Sequence, residues 1–244
     1  MTRLRYPSLL RAGGTAAILL TLLSLTSAVR ASRTRTSVAS GGAVAPLLKQ
    51  AERDARSDAI RRRLAERGHG TYIGEMLIAR DSALARWPDR HGKPLLVWIQ
   101  QSSPIEGWSA SYVNEVRTAF QQWDVLRLPV RFVFVVDSAA ADVHVTFVEQ
   151  FDEEISGRTR WARDDDWYIT DADIALAVYH RNGPKLDDKA MHAMSLHEIG
   201  HLLGLDHTDD PANIMAPKVR VRSLSRADRA TVRLLYALPP GGVR

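Results

Sequence analysis

The chain has 244 residues with 45% hydrophobic side chains and six tryptophans, enough for a real core in one large or two small domains. Its formal charge is +5, but the excess is lopsided: residues 1–70 hold 13 Lys+Arg against 4 Asp+Glu, and residues 71–244 hold 20 against 24. A basic nucleic-acid-binding surface is therefore not expected of the folded part, and the absence of cysteine excludes disulfides, thiolate metal sites and a cysteine nucleophile.

Arg3, Arg5 and Arg11 precede an apolar stretch from Thr15 to Val29, followed by Val29-Arg30-Ala31. That order is a charged leader, an apolar run and a small-residue cleavage site, so residues 1–31 are expected to be a signal peptide. The rival is an uncleaved anchor over Gly13–Val29, short for a bilayer core of ~30 Å. Either way the remainder is expected to be exported: secreted, periplasmic or tethered at the cell surface. A membrane partner is expected only with the anchor.

Residues 32–45, rich in Ser, Thr, Gly and Ala, read as a flexible linker. From Pro46 to Arg67 the pattern is helical and highly charged, closed by Gly68 and Gly70. This segment is expected to be a solvated connector, with a pro-segment over residues 32–80 as the alternative. The catalytic domain is expected to span residues 81–244.

Within it, Leu95–Ile99 predicts a short apolar strand and Ser109–Asp124 an amphipathic helix, with Tyr112, Val116, Ala119, Phe120 and Trp123 at helical spacing. Val130–Val136 predicts a buried strand, and Asp142–Val148 alternates as a half-buried one. Arg158–Trp161 and Ile169–Val178 predict strands on either side of an acidic turn, Asp164–Asp166. Asp187 or Asp188 can cap a helix to about Gly204. Ser225 with Asp228 begins a last helix through Leu238, stopped by Pro239-Pro240. The expected class is α+β, and a monomer is expected.

Residues 197–207 read His-Glu-Ile-Gly-His-Leu-Leu-Gly-Leu-Asp-His. His197 and His201, four apart on a helix, share one face and can reach one zinc ion. Were the helix to continue, residue 207 would point elsewhere, since ten residues turn about 280° round the axis. Gly204 can take the left-handed conformation that ends the helix and brings His207 back. Three neutral imidazoles leave a fourth position open to water, as a catalytic zinc requires. Glu198, beside the first ligand, is placed to take a proton from that water and pass it to a leaving amine, the two transfers of peptide hydrolysis.

This run is similar to the metzincin signature. Asn213-Ile214-Met215-Ala216-Pro217 resembles that clan's Met-turn, and Gly204-Leu205-Asp206-His207-Thr208 with Leu224-Ser225 resembles the matrixins, the matrix metalloproteinase group. The resemblance implies a twisted, mostly parallel sheet with an antiparallel edge strand, and a zinc endopeptidase acting on protein or peptide substrates. It implies that Met215 floors the metal without ligating it and that Pro217 to Val221 wall a substrate pocket. It also implies that Ile169–Val178 is the antiparallel edge over the cleft and that Asp228 braces the Met-turn. Three departures stand out. There is no cysteine switch; His144 and His180 do not fall in the pattern of a second zinc site; and the acidic pair of the last helix is reduced to Ala227-Asp228. His192, off the ligand face, is expected to be a partly exposed helix histidine, and His144 a solvated one on the polar face of its strand. Asp164–Asp166, Asp171 and Asp173 are weighed as a calcium site against a solvated turn. Two other functions stay open: a zinc hydrolase of cell-wall peptide or amide bonds, and a non-catalytic zinc module that grips extended peptides.

Overall fold

The computed structural model of the chain describes residues 41–80 and 82–242. The expected signal peptide or anchor and most of the linker lie outside the described residues. Residues 42–244 fall in one compact unit. The chain runs α1 (Gly41–Arg67), α2 (Ile73–Ala79), β1 (Ala83–Leu84), β2 (Leu95–Ile99), α3 (Ser111–Asp124), β3 (Phe132–Val135), β4 (Val143–Val148), β5 (Gly157–Arg163), β6 (Ile169–Ala177), α4 (Asp188–Leu202), α5 (Arg226–Ala237) and β7 (Gly241–Gly242). The expected strands and the three long domain helices form; α2 and the β1–β7 ribbon, too short to show a period, are additions.

Five strands form one sheet in the order β3-β2-β4-β6-β5. All neighbours are parallel except β5 with β6. The mixed architecture and the mostly parallel sheet agree with the expectation, but two strand roles do not. The antiparallel edge is β5, and β6, expected there, lies inside the sheet between β4 and β5. The sequence reason is plain in hindsight: β6 reads Ile-Thr-Asp-Ala-Asp-Ile-Ala-Leu-Ala and buries its apolar end, whereas β5 carries Arg158, Arg160 and Arg163, charges that an edge can solvate. β3 is the opposite edge and is half-exposed rather than buried.

α3 and α4 pack on one another and α4 lies against β5 and β6. α3 turns its apolar stripe inward: Tyr112, Val116, Ala119, Phe120 and Trp123 are buried as their spacing predicts. α4 is started by Asp187, whose carboxylate accepts the Ala190 N–H at 2.7 Å. From Ser195 to Gly200 every residue of α4 is buried, so this helix is covered on all sides. Two indoles pin it: Trp123 Nε1 donates to Leu196 O at 3.0 Å and Trp87 Nε1 to Leu202 O at 2.9 Å. α5 begins with a full capping box, Ser225 bonding the Asp228 N–H while Asp228 bonds the Ser225 N–H.

The segment before residue 81 is divided. Leu47 and Leu48 are solvent-exposed, as a connector helix predicts, but Ser57, Ile60, Tyr72, Ile73 and Met76 are buried, and the last four join the main core. Ser57 Oγ donates to Gly242 O at 2.8 Å and the Tyr72 N–H to Thr231 Oγ1 at 3.1 Å. The packed unit therefore takes in a stretch that the sequence pattern sets apart from the catalytic domain. Among the described residues no helix is long and apolar enough to cross a membrane.

Candidate metal centre and substrate cleft

α4 presents His197 and His201 on one face, and a helix end returns His207 to them. The Leu205 N–H bonds Gly200 O at 2.9 Å and the Gly204 N–H bonds His201 O at 2.9 Å, the paired bonds of a Schellman cap. Gly204 has φ +98°, and a Cβ there would meet Ala85 O at 2.2 Å. Both conformation and space demand glycine. The three Nε2 atoms then lie 3.1, 3.2 and 3.3 Å apart.

The contact between His197 and His201 cannot be a hydrogen bond of a neutral pair. His197 Nδ1 lies 2.8 Å from Ile214 O, and His201 Nδ1 lies 3.0 Å from Leu205 O. Carbonyls only accept, so each Nδ1 carries the proton and each Nε2 offers a lone pair. Lone pairs converging on one point repel unless a cation sits between them. Tetrahedral zinc with Zn–N bonds of ~2.0–2.1 Å sets its nitrogens about 3.3–3.4 Å apart, so the donor set fits. Among the described residues this is the group of three or more His, Asp or Glu ligand atoms that converges. Burial depresses all three imidazoles: His197 to about 4, His201 well below the ordinary range, and His207 less deeply set but also lowered. Neutral imidazole is the ligand form.

Met215 lies fully buried beneath the site, and a Cβ on Gly200 would meet its sulfur at 2.2 Å, so the glycine inside the motif is there to admit the methionine. Asp228, also fully buried, holds the floor in place: its Oδ2 accepts the Ile214 N–H at 3.0 Å and its Oδ1 accepts the Tyr72 hydroxyl at 3.1 Å.

Glu198 is 3% exposed and turned toward the cleft. Thr159 Oγ1 on β5 lies 2.6 Å from Glu198 Oε2 and 2.9 Å from Glu198 O, and its proton can serve either. Burial pushes the Glu198 carboxyl up to about 7, against the opposing pull of Thr159 and Arg158. A carboxyl so poised can both take and return a proton near neutral pH. Around it runs a cleft of about 950 Å³, lined by β5, by the three histidines and Glu198, by His180 and by Pro217, Lys218 and Val219. Thr159, Gly200, Tyr72 and Arg80 carry no local signal in the sequence, because each meets a partner that only the fold brings near.

The remaining candidates separate from the site. His192 lies between Gln122 and Glu115 of α3, on the side of α4 that packs against that helix. His144 bonds Ser138 O and faces Asp173. Asp164 Oδ1 accepts the N–H groups of Asp166 and Tyr168 and so closes its own turn, while Asp166 pairs with Arg56.

Comparison with known proteins agrees with this geometry. Residues 149–237 match the model of the peptidase M10 family, Matrixin. Matrix metalloproteinase-15 of Homo sapiens is 25% identical over 187 residues, covering 64% of this chain and 26% of that protein. The chain thus spans about a quarter of the length of this relative. With the ligand run, the Met-turn and the sheet order pointing the same way, the chain is matrixin-like, and its residues 149–237 carry the likeness.

Proposed function

We propose that this protein is a zinc-dependent endopeptidase that cuts extended protein substrates, with His197, His201 and His207 as ligands and Glu198 as the general base. The convergence of three imidazole Nε2 atoms, two of them left unprotonated by their Nδ1 contacts with carbonyls, beside a buried, proton-poised carboxyl carries the reading. Zinc, when bound, supplies Lewis acidity to a water and to the scissile carbonyl. Glu198 takes the water's proton and returns it to the departing amine. Thr159 holds the carboxylate in one orientation for both transfers.

Among the described residues β5 has a strand partner on one side only, and its free edge borders the cleft. An extended peptide can bind there as an added strand through main-chain hydrogen bonds. Pro217 to Val219 form the facing wall, against which the substrate's side chains lie. A leader in residues 1–31, as their charged and apolar order suggests, would put the work outside the cytoplasm, and calcium at the acidic turn has no carboxylate cluster in its favour among the described residues. A mere peptide-gripping module has no use for a buried glutamate beside the ligands. A cell-wall hydrolase would prefer wall fragments to unfolded protein.

Glu198→Ala should leave one zinc per chain and lower cleavage of an unfolded protein by about 10²–10⁴-fold. Full activity in that variant would remove the mechanism, and cleavage of wall fragments in preference to protein would favour the second reading.

A further inference from the structure

The turn that carries His207 is held from outside the motif. Arg80, at the end of α2, points its guanidinium into the turn: Nε lies 2.7 Å from Asp206 Oδ2, Nη1 donates to Gly204 O at 2.8 Å and Nη2 donates to Leu205 O at 2.9 Å. Its plane lies over Trp161 of β5, 5.2 Å from the ring centroid, and its side chain is 15% exposed. Two of the three acceptors are one hydrogen bond away from a proposed metal ligand. Asp206 accepts the His207 N–H through its other oxygen at 2.8 Å. Leu205 O also accepts from His201 Nδ1 at 3.0 Å. Gly204 is the left-handed residue that turns the chain. Three N–H groups of one rigid fork thus fix three consecutive residues, 204 to 206, between the second ligand and the third.

We infer that Arg80 is a positioning residue of the metal centre, fixing the 204–206 turn so that His201 and His207 meet the ion in a single geometry. The inference rests on the three-histidine reading above. A flexible turn would let His207, the most exposed of the three, leave the ion. Arg80 borders the cleft, but three of its donors are committed to the turn. Lysine cannot replace it, since an ammonium is a point charge without a planar fork. Nothing in the ligand run announces this residue; it lies 117 positions before His197 in a stretch whose pattern reads as connector.

The test measures zinc affinity by chelator competition on the full chain, with the visible absorption of the cobalt-substituted protein as a direct reading of ligand geometry. Arg80→Ala should weaken zinc binding by about 10–100-fold, the usual cost of losing a partner behind a metal ligand, and alter the cobalt spectrum. Arg80→Lys should recover only part of the loss. Asp206→Asn should weaken binding as well, and combining it with Arg80→Ala should add little, because both break one chain of contacts. Arg131→Ala, which breaks the exposed pair with Asp124 far from the site, should leave affinity unchanged. Should Arg80→Ala fail to fold, Arg80→Lys and Asp206→Asn carry the test alone. Wild-type affinity and an unaltered cobalt spectrum in these variants would overturn the inference while leaving the ligand set intact. A wild-type chain that takes up no zinc would remove the three-histidine reading and this inference with it.

Discussion

The ligand run of residues 197–207 and the stretch of residues 56–80 serve the same centre by opposite means. The first is local: proposed ligand, base, second ligand, turn and third ligand follow one another within about two helical turns and a cap. The second touches the site only through the fold, by way of Tyr72 on Asp228, Arg80 on the 204–206 turn and Glu75, whose carboxylate accepts the Asp209 N–H at 2.8 Å. A short motif can write its chemistry in spacing. A supporting segment cannot, because its partners lie more than a hundred residues away and its own pattern is only that of a charged helix.

Truncation tests this contrast most strongly. Removing residues 1–80 would expose the pockets filled by Ile60, Tyr72, Ile73 and Met76, each worth about 1.5–3 kcal/mol of burial. The sum approaches the whole stability of a domain, ~5–15 kcal/mol, so the shortened chain should not fold cooperatively. Removing residues 1–55 should leave the melting transition nearly intact. A stable, zinc-binding protein that starts at residue 81 would show the segment to be dispensable.

Inside the ligand run, Gly204→Ala should cost about 2–5 kcal/mol, combining left-handed strain with the collision on Ala85 O. Chemical denaturation reads this, and a loss below 1 kcal/mol would mean that the turn relaxes freely. Where the two regions meet, Tyr72→Phe removes one donor from a buried carboxylate that keeps the Ile214 and Ser225 N–H groups. It should cost about 1.5–3 kcal/mol, and a neutral result would detach Tyr72 from the Met-turn.

The smallest effect is that of pH on the metal-free protein, because two terms oppose. The unfolded chain's histidines take up protons near pH 6.5, whereas His197 refuses one until about 4, and His201 and His207 are depressed as well. Their stabilising share is therefore lost as pH falls below about 6.5. Glu198, raised to about 7, acts in the other sense, since its folded form holds a proton that the unfolded chain releases above about 4.5. Three groups outweigh one, so the denaturation midpoint should be lower at pH 5 than at pH 7.5. A higher midpoint at pH 5 would show that burial does not govern these imidazoles.

Most strands and the three long helices of the domain were legible because burial on one face writes a period into the chain, as Leu95–Ile99 and Ser111–Asp124 show. The two misplaced strand roles, β6 taken for the edge and β3 taken as buried, have a common cause. Apolar content does not tell which strand is left at an edge, since neighbour order is set by pairing between distant segments.

The convergence of His197, His201 and His207, with Glu198 beside them, was legible in the sequence alone, since helical pitch and one glycine bring those side chains together. Only the tertiary structure decided what holds them: Gly200 making room for Met215, Thr159 reaching Glu198 from another strand, and Tyr72 and Arg80 joining from a segment that reads as connector. Contacts of that kind depend on where separate elements come to rest, and no local spacing encodes that.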